Sequence, residues 1–250
     1  MTLALVTGAS RGIGRATALK LAQQGYRVAV NYRQRAEEAQ QVVAEIREQG
    51  GEAFAVQADI ADEAQVVALF QRLDEEAMPL GVLVNNAGIL FTQCRVEDLS
   101  AERLQRVFAT NVTGAFLCCR EAVKRMGTHH GGQGGTIINV SSAASRLGAP
   151  GEYVDYAASK GAMDTLTRGL SLEVAAQGIR VNGVRPGFIY TEMHADGGEP
   201  GRVDRVAGMA GVIPMGRGGE AEEIAEAIAW LASEAASYIT GTFIDAAGGR

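Results

Sequence analysis

The chain has 250 residues, of which 47% are hydrophobic, 21% charged and 6% aromatic, a globular balance with ample material for a core. Its 32 glycines and 5 prolines follow no three-residue period, which excludes a collagen-like chain and points to many tight turns. Lys and Arg number 23 against 29 Asp and Glu, a formal net charge of −6, so neither nucleic acid nor an anionic membrane is an expected partner. No segment approaches the ~18 uninterrupted apolar residues of a membrane span, and the start lacks a basic leader, so a cytoplasmic location is expected. Cys94, Cys118 and Cys119 are odd in number, with two adjacent, which rules out a disulfide framework or a C-x-x-C metal site and predicts small buried side chains.

Short β-branched runs alternate with helical patterns along the chain. Strands are predicted over 3–7, 27–31, 53–57, 81–85, 136–140, 179–184 and 242–245, and helices over 11–24, 36–48, 63–76, 101–126, 152–176 and 221–232. Gly25, Gly50 and Gly178 stand where helix C-caps belong, and all five prolines fall between predicted elements. Strands this uniformly apolar have no wet face. The alternation therefore predicts an α/β fold of Rossmann type: a doubly wound, seven-stranded parallel sheet with helices on both faces, in a single domain over 1–250. The glycine-rich stretch 188–219 is expected to be a substrate lid.

Between the first strand and first helix runs Thr7-Gly8-Ala9-Ser10-Arg11-Gly12-Ile13-Gly14. A glycine turn there lets backbone N–H groups and a helix N-terminus approach a pyrophosphate, which implies dinucleotide binding through Gly8, Ser10, Arg11, Gly12, Ile13 and Gly14. The spacing is G-x-x-x-G-x-G and departs from the common G-x-G-x-x-G fingerprint. The second strand ends in Asn31-Tyr32-Arg33, with no carboxylate to take a ribose 2′-hydroxyl. Arg33 and Arg11 are suited to a 2′-phosphate, which makes NADP(H) the preferred cofactor; Asn31 repels neither form, so NAD(H) stays open.

Tyr156 and Lys160 lie four apart on a predicted helix and share a face. The ammonium is expected to lower the phenol's pKa toward working pH, where it serves as general acid or base. Tyr153 lacks such a partner. Ser142 ends the fifth strand, where its hydroxyl can stabilise a developing oxyanion, with Ser141 and Ser145 as rivals. Asn111 interrupts an apolar stripe of Leu104, Phe108, Ala115, Cys118 and Ala122, and a buried amide needs partners. His129, His130 and His194 offer no helical ligand pair, so no metal is expected. Trp230, beside Ile224 and Ile228, reads as core.

These residues together resemble the short, single-domain branch of the short-chain dehydrogenases/reductases over nearly the whole chain. The parts are the Thr7–Gly14 loop, Asp59, Asn85-Asn86-Ala87-Gly88, Asn111, Ser142, Tyr156-Ala157-Ala158-Ser159-Lys160, and Pro186-Gly187 with Thr191. Ser142 precedes the tyrosine by one residue more than in the family pattern, which places an insertion within 148–155. The resemblance implies that Tyr156 transfers the proton, Lys160 holds the nicotinamide ribose hydroxyls, and Asn111 supports a proton-relay water. It further places Asp59 and Ile60 near adenine, Asn86, Ala87 and Gly88 near the ribose and nicotinamide, and Pro186, Gly187, Ile189 and Thr191 near the carboxamide and phosphates.

The expected activity is hydride transfer between NADP(H) and a small-molecule carbonyl or secondary alcohol. Within the family, 3-oxoacyl-carrier-protein reductases and sugar dehydrogenases of the glucose 1-dehydrogenase type are both similar. Gln177 stands where the former often carry arginine, which weakens a carrier-protein partner, while Arg120, Lys124 and Arg125 keep it open. A non-catalytic dinucleotide sensor on the same fold is the alternative of another class, opposed by the intact tetrad. An epimerase or dehydratase is opposed by the missing substrate domain. The resemblance also implies a homodimer or homotetramer built on the helices predicted over 101–126 and 152–176.

Overall fold

Along the first strand, β1 (Leu3–Val6), Leu3 and Leu5 enter one apolar cluster and Ala4 and Val6 another, and all four are fully buried. A strand apolar on both faces needs cover on both, and the computed structural model, which describes residues 2–193 and 206–250, supplies it. The further strands are β2 (Arg27–Tyr32), β3 (Glu52–Gln57), β4 (Leu80–Asn85), β5 (Gly135–Val140), β6 (Ile179–Pro186) and β7 (Phe243–Ala246). They form one seven-stranded sheet in the order β3-β2-β1-β4-β5-β6-β7, and every neighbouring pair is parallel.

The helices are α1 (Gly12–Gln23), α2 (Ala36–Glu48), α3 (Glu63–Asp74), α4 (Ala101–Phe108), α5 (Gly114–Met126), α6 (Ala144–Leu147), α7 (Val154–Val174) and α8 (Ala221–Ala232). Leu21 of α1, Val42 and Ile46 of α2 and Ile228 of α8 cover one face. Phe70 of α3, Cys118 and Ala122 of α5 and Met163 of α7 cover the other. Local signals set several boundaries. The Asp62 carboxylate caps α3 by accepting from Ala64 and Gln65 N–H, the Ser100 hydroxyl caps α4, and Gly25, Gly50 and Gly178 take left-handed φ values of 88°, 84° and 75°. The order of strands reverses between β1 and β4, and ligands of open α/β sheets bind at such a switch point, beyond the carboxyl ends of the strands.

Four expectations need correction. The helix predicted over 101–126 is two helices joined by a π turn, Ala109–Thr113. The apolar stripe breaks there: Ala115, Cys118 and Ala122 are core, whereas Leu104 and Phe108 are 36% and 37% exposed, and Val107 is buried in their place. Trp230 is 42% exposed, because it lies two residues from buried Ile228 and so on the opposite face of α8. Pro186 is the last residue of β6, opposite Ala246, a strand-end position where its missing N–H is tolerated. The segment 148–155, where the resemblance implies an insertion, contains a turn with left-handed Gly148, Ala149 and Gly151, and α7 begins within it at Val154. Cys118 and Cys119 are buried and Cys94 is half-buried; burial pushes the Cys119 thiol up to about 12.

Candidate active site

Two clefts open at the carboxyl end of the sheet. The first is built on the glycine loop. Gly8 and Gly12 take φ of 62° and 52°, and a Cβ on Gly14 would stand 2.4 Å from the Gly8 carbonyl oxygen and 2.5 Å from Asn86 Nδ2, so only glycine closes this turn. Arg11, the N-cap of α1, makes no side-chain cap, which leaves the first-turn N–H groups to an anion. The loop is fastened from two sides. Asn86 Nδ2 donates to the Thr7 and Gly8 carbonyls at 2.8 and 3.0 Å, and Asn31 Oδ1 accepts from Gly8 N–H at 3.2 Å. Asn31 Nδ2 also donates to the Val56 and Ala58 carbonyls, so this side chain is a pin between β2, β3 and the loop.

Gly8, Ser10, Arg11, Gly12, Ile13, Gly14, Asn31, Tyr32, Arg33, Asp59, Ile60, Asn86, Ala87, Gly88 and Thr191 all line this cleft. Arg33 pairs with Asp59 at 3.8 Å. Arg35, which the sequence reading passed over, lines the cleft as well. Burial and the charge of Arg35 both hold the Arg11 guanidinium below its ordinary range. Arg33 and Arg35 both follow the end of β2, and both reach the cleft.

The second cleft, of about 400 Å³, is lined by Ser142, Tyr156, Lys160, Pro186, Gly187, Ile189 and Thr191, and meets the first at Ile13, Asn86, Leu90, Thr191 and Met193. Its volume is in the range of small-molecule sites. Burial pushes the Tyr156 phenol up to about 12, against a smaller opposing effect of the nearby Ser142 hydroxyl. The expected lowering by Lys160 is not found, because desolvation dominates and the ammonium is engaged elsewhere. Lys160 Nζ donates to the Val140 carbonyl at 2.7 Å and stands 5.6 Å from the Tyr156 ring centroid. Burial lowers the ammonium to about 8, against a smaller opposing effect of Asp164.

The rival serines are occupied: Ser141 Oγ lies 2.6 Å from an Asp164 oxygen, and Ser145 Oγ donates to the Ser142 carbonyl. Tyr153 packs edge-on against Tyr156, with ring centroids 5.9 Å apart. Asn111, 1% exposed, sits in the π turn. Its Nδ2 donates to Ile89 O and Ser159 Oγ at 3.0 Å each, and its Oδ1 accepts from Ile89 N–H at 2.8 Å. Asn111 thereby clamps the loop segment at Ile89 beside Lys160. The ends of the expected lid are zipped together, since Tyr190 N–H donates to Gly219 O and Gly219 N–H to Phe188 O. Residues 194–205 of that lid, His194 included, lie outside the described residues.

A glycine-walled dinucleotide cradle at the switch point, opening into a pocket with a buried Tyr–Ser–Lys group, defines a Rossmann-type oxidoreductase. Residues 8–250 match the family model described as enoyl-(acyl carrier protein) reductase. The chain is 71% identical to the uncharacterized oxidoreductase YgfF of Escherichia coli (strain K12), covering 100% of both chains. It is 41% identical to the 3-oxoacyl-[acyl-carrier-protein] reductase FabG of Staphylococcus aureus (strain Mu50), covering 98% of this chain and 96% of the other. Among solved structures, a short chain dehydrogenase from Burkholderia cenocepacia J2315 in complex with NADP matches at a TM-score of 0.87 and 33% identity, over 99% of this chain and 97% of that one. The chain belongs to the short-chain dehydrogenase/reductase family of oxidoreductases.

Proposed function

We propose that the protein is an NADP(H)-dependent oxidoreductase that transfers a hydride between the nicotinamide and a carbonyl or secondary alcohol. The observation that carries this reading is that Ser142, Tyr156 and Lys160 line one cleft, which joins the glycine-loop cleft at Ile13, Asn86, Leu90, Thr191 and Met193. The first cleft fits a dinucleotide: its glycine turn closes only without a side chain at Gly14, and the first-turn N–H groups of α1 are open to phosphate. Arg11 and Arg35 repel one another, a repulsion that a 2′-phosphate relieves, and the complex of the Burkholderia relative holds NADP. The bound nicotinamide supplies or accepts the hydride.

The side chains do the rest. Ser142 orients the substrate oxygen, and Tyr156, a neutral phenol at pH 7, donates its proton to that oxygen in the reducing direction. Lys160 holds the ribose hydroxyls, and Asn111 fixes Gly88 and Ile89 next to it. An acyl carrier protein as partner is disfavoured by the surface that would receive it. Arg120 pairs with Glu63 and Glu121, Lys124 with Glu121, and Arg125 with Asp74 and Glu121, so these cations are neutralised within the chain. The reading is tested by following oxidation of NADPH and of NADH with a panel of ketones, quinones, aldoses and a 3-oxoacyl thioester. Turnover with at least one carbonyl is expected, with NADPH preferred and the preference narrowed in Arg35→Ala. Saturable NADPH binding without turnover across the panel favours the sensor reading.

A further inference from the structure

The cleft beside Tyr156 is unevenly built. Its described walls include the apolar Leu90, Leu147, Ala149, Phe188, Ile189 and Met209, side chains that offer no partner to the hydroxyls of a polyol. Three charged residues line it among the described residues: Lys160, Glu152 and Arg250. Lys160 gives one N–H to the Val140 carbonyl and, in the proposed function, its remaining donors to the ribose hydroxyls. Glu152 belongs to the turn ahead of α7, where its carbonyl accepts from Cys94 N–H at 2.9 Å.

Arg250 is held in place. Its guanidinium carbon lies 5.0 Å from the Phe188 ring centroid, a stacked arrangement that covers one face of the cation and leaves its edge for a planar anion. Its N–H donates to Ala247 O, and Arg146 Nη2 donates to a main-chain oxygen of Arg250 at 3.2 Å. Gly248 and Gly249 reach this position through φ of 64° and 92°, packed on Ile213 and Pro214. The neighbouring guanidiniums are engaged: Arg146 with Asp245 at 3.4 Å and Arg185 with Asp164 at 3.0 Å. The Arg250 guanidinium makes no ion pair with a side-chain carboxylate among the described residues.

We propose that the substrate is a carbonyl compound with an apolar body and a carboxylate at its far end, and that Arg250 is the specificity-determining residue that receives the carboxylate. This rests on the reading of the cleft as the carbonyl site, which is tested separately above. The probes are octanoate and methyl octanoate, titrated by calorimetry into the NADP⁺-loaded protein. Octanoate is expected to bind about tenfold more tightly than its ester, because only the acid can make a charge-assisted pair with the guanidinium. Arg250→Gln erases that preference while leaving ester binding unchanged, Arg250→Lys keeps part of it, and Tyr156→Phe keeps all of it. Equal binding of acid and ester, no binding of octanoate to a protein that saturates with NADP⁺, or an undiminished preference in Arg250→Gln overturns the proposal. A preserved octanoate preference in a protein that reduces no carbonyl overturns the redox reading and leaves the anchor standing.

Discussion

Lys160 is held at a cost. Burial lowers its ammonium from the ordinary 10.5 to about 8, so between those pH values the unfolded chain binds the proton that the folded chain has released, and stability rises with pH. Below about 8 the folded protein carries the full penalty of a buried ammonium, ~3 kcal/mol by the gap between the two values. Lys160→Met is therefore expected to raise the thermal midpoint at pH 7 while removing activity, with the gain fading as pH rises past 8 toward 10.5. A lower midpoint at pH 7 contradicts this. The Tyr–Lys pair itself was legible from its four-residue spacing, but the direction of the phenol's shift was not. Sequence shows that a cation is near; it does not show that desolvation outweighs it or that the Val140 carbonyl already accepts from the ammonium.

At the scale of elements, the glycine loop and the π turn carry the site. A Cβ at Gly14 would collide with the Gly8 carbonyl and Asn86, whereas one at Gly25 meets nothing within 4 Å. Gly14→Ala is expected to weaken NADPH binding at least tenfold in a fluorescence titration, because the loop must open. Gly25→Ala is expected to leave binding intact and lower stability by about 1 kcal/mol for its left-handed backbone. Equal NADPH affinity in both variants would show that the loop does not shape the cradle. The loop was readable because glycine has few other reasons to recur between a strand and a helix. The π turn was hidden, since one extra residue preserves the alternation of three- and four-residue spacings, and only the polar Asn111 on the apolar face marked it.

Across the whole molecule, the parallel, doubly wound sheet followed from apolar strands alternating with helices, whereas its strand order came from the structure. What was not legible is which apolar residues face outward. Leu104 and Phe108 on α4, Phe116 on α5 and Leu172 on α7 are exposed, Leu172 by 78%, and residues destined for a partner surface have the same composition as core. We propose that these helices pair across a two-fold axis in a homodimer or homotetramer. Light scattering on the eluted native protein is expected to give a multiple of 26.2 kDa, and Phe116→Glu with Leu172→Glu a smaller species. A native protein that elutes as a monomer ends that expectation.

The central claim is that Tyr156 moves the proton in a carbonyl reduction, and the most direct measurement compares native protein with Tyr156→Phe on one carbonyl substrate under saturating NADPH. A loss of kcat of ~10²–10⁴ is expected, the usual worth of a positioned general acid. A phenylalanine variant that turns over at the native rate would contradict it.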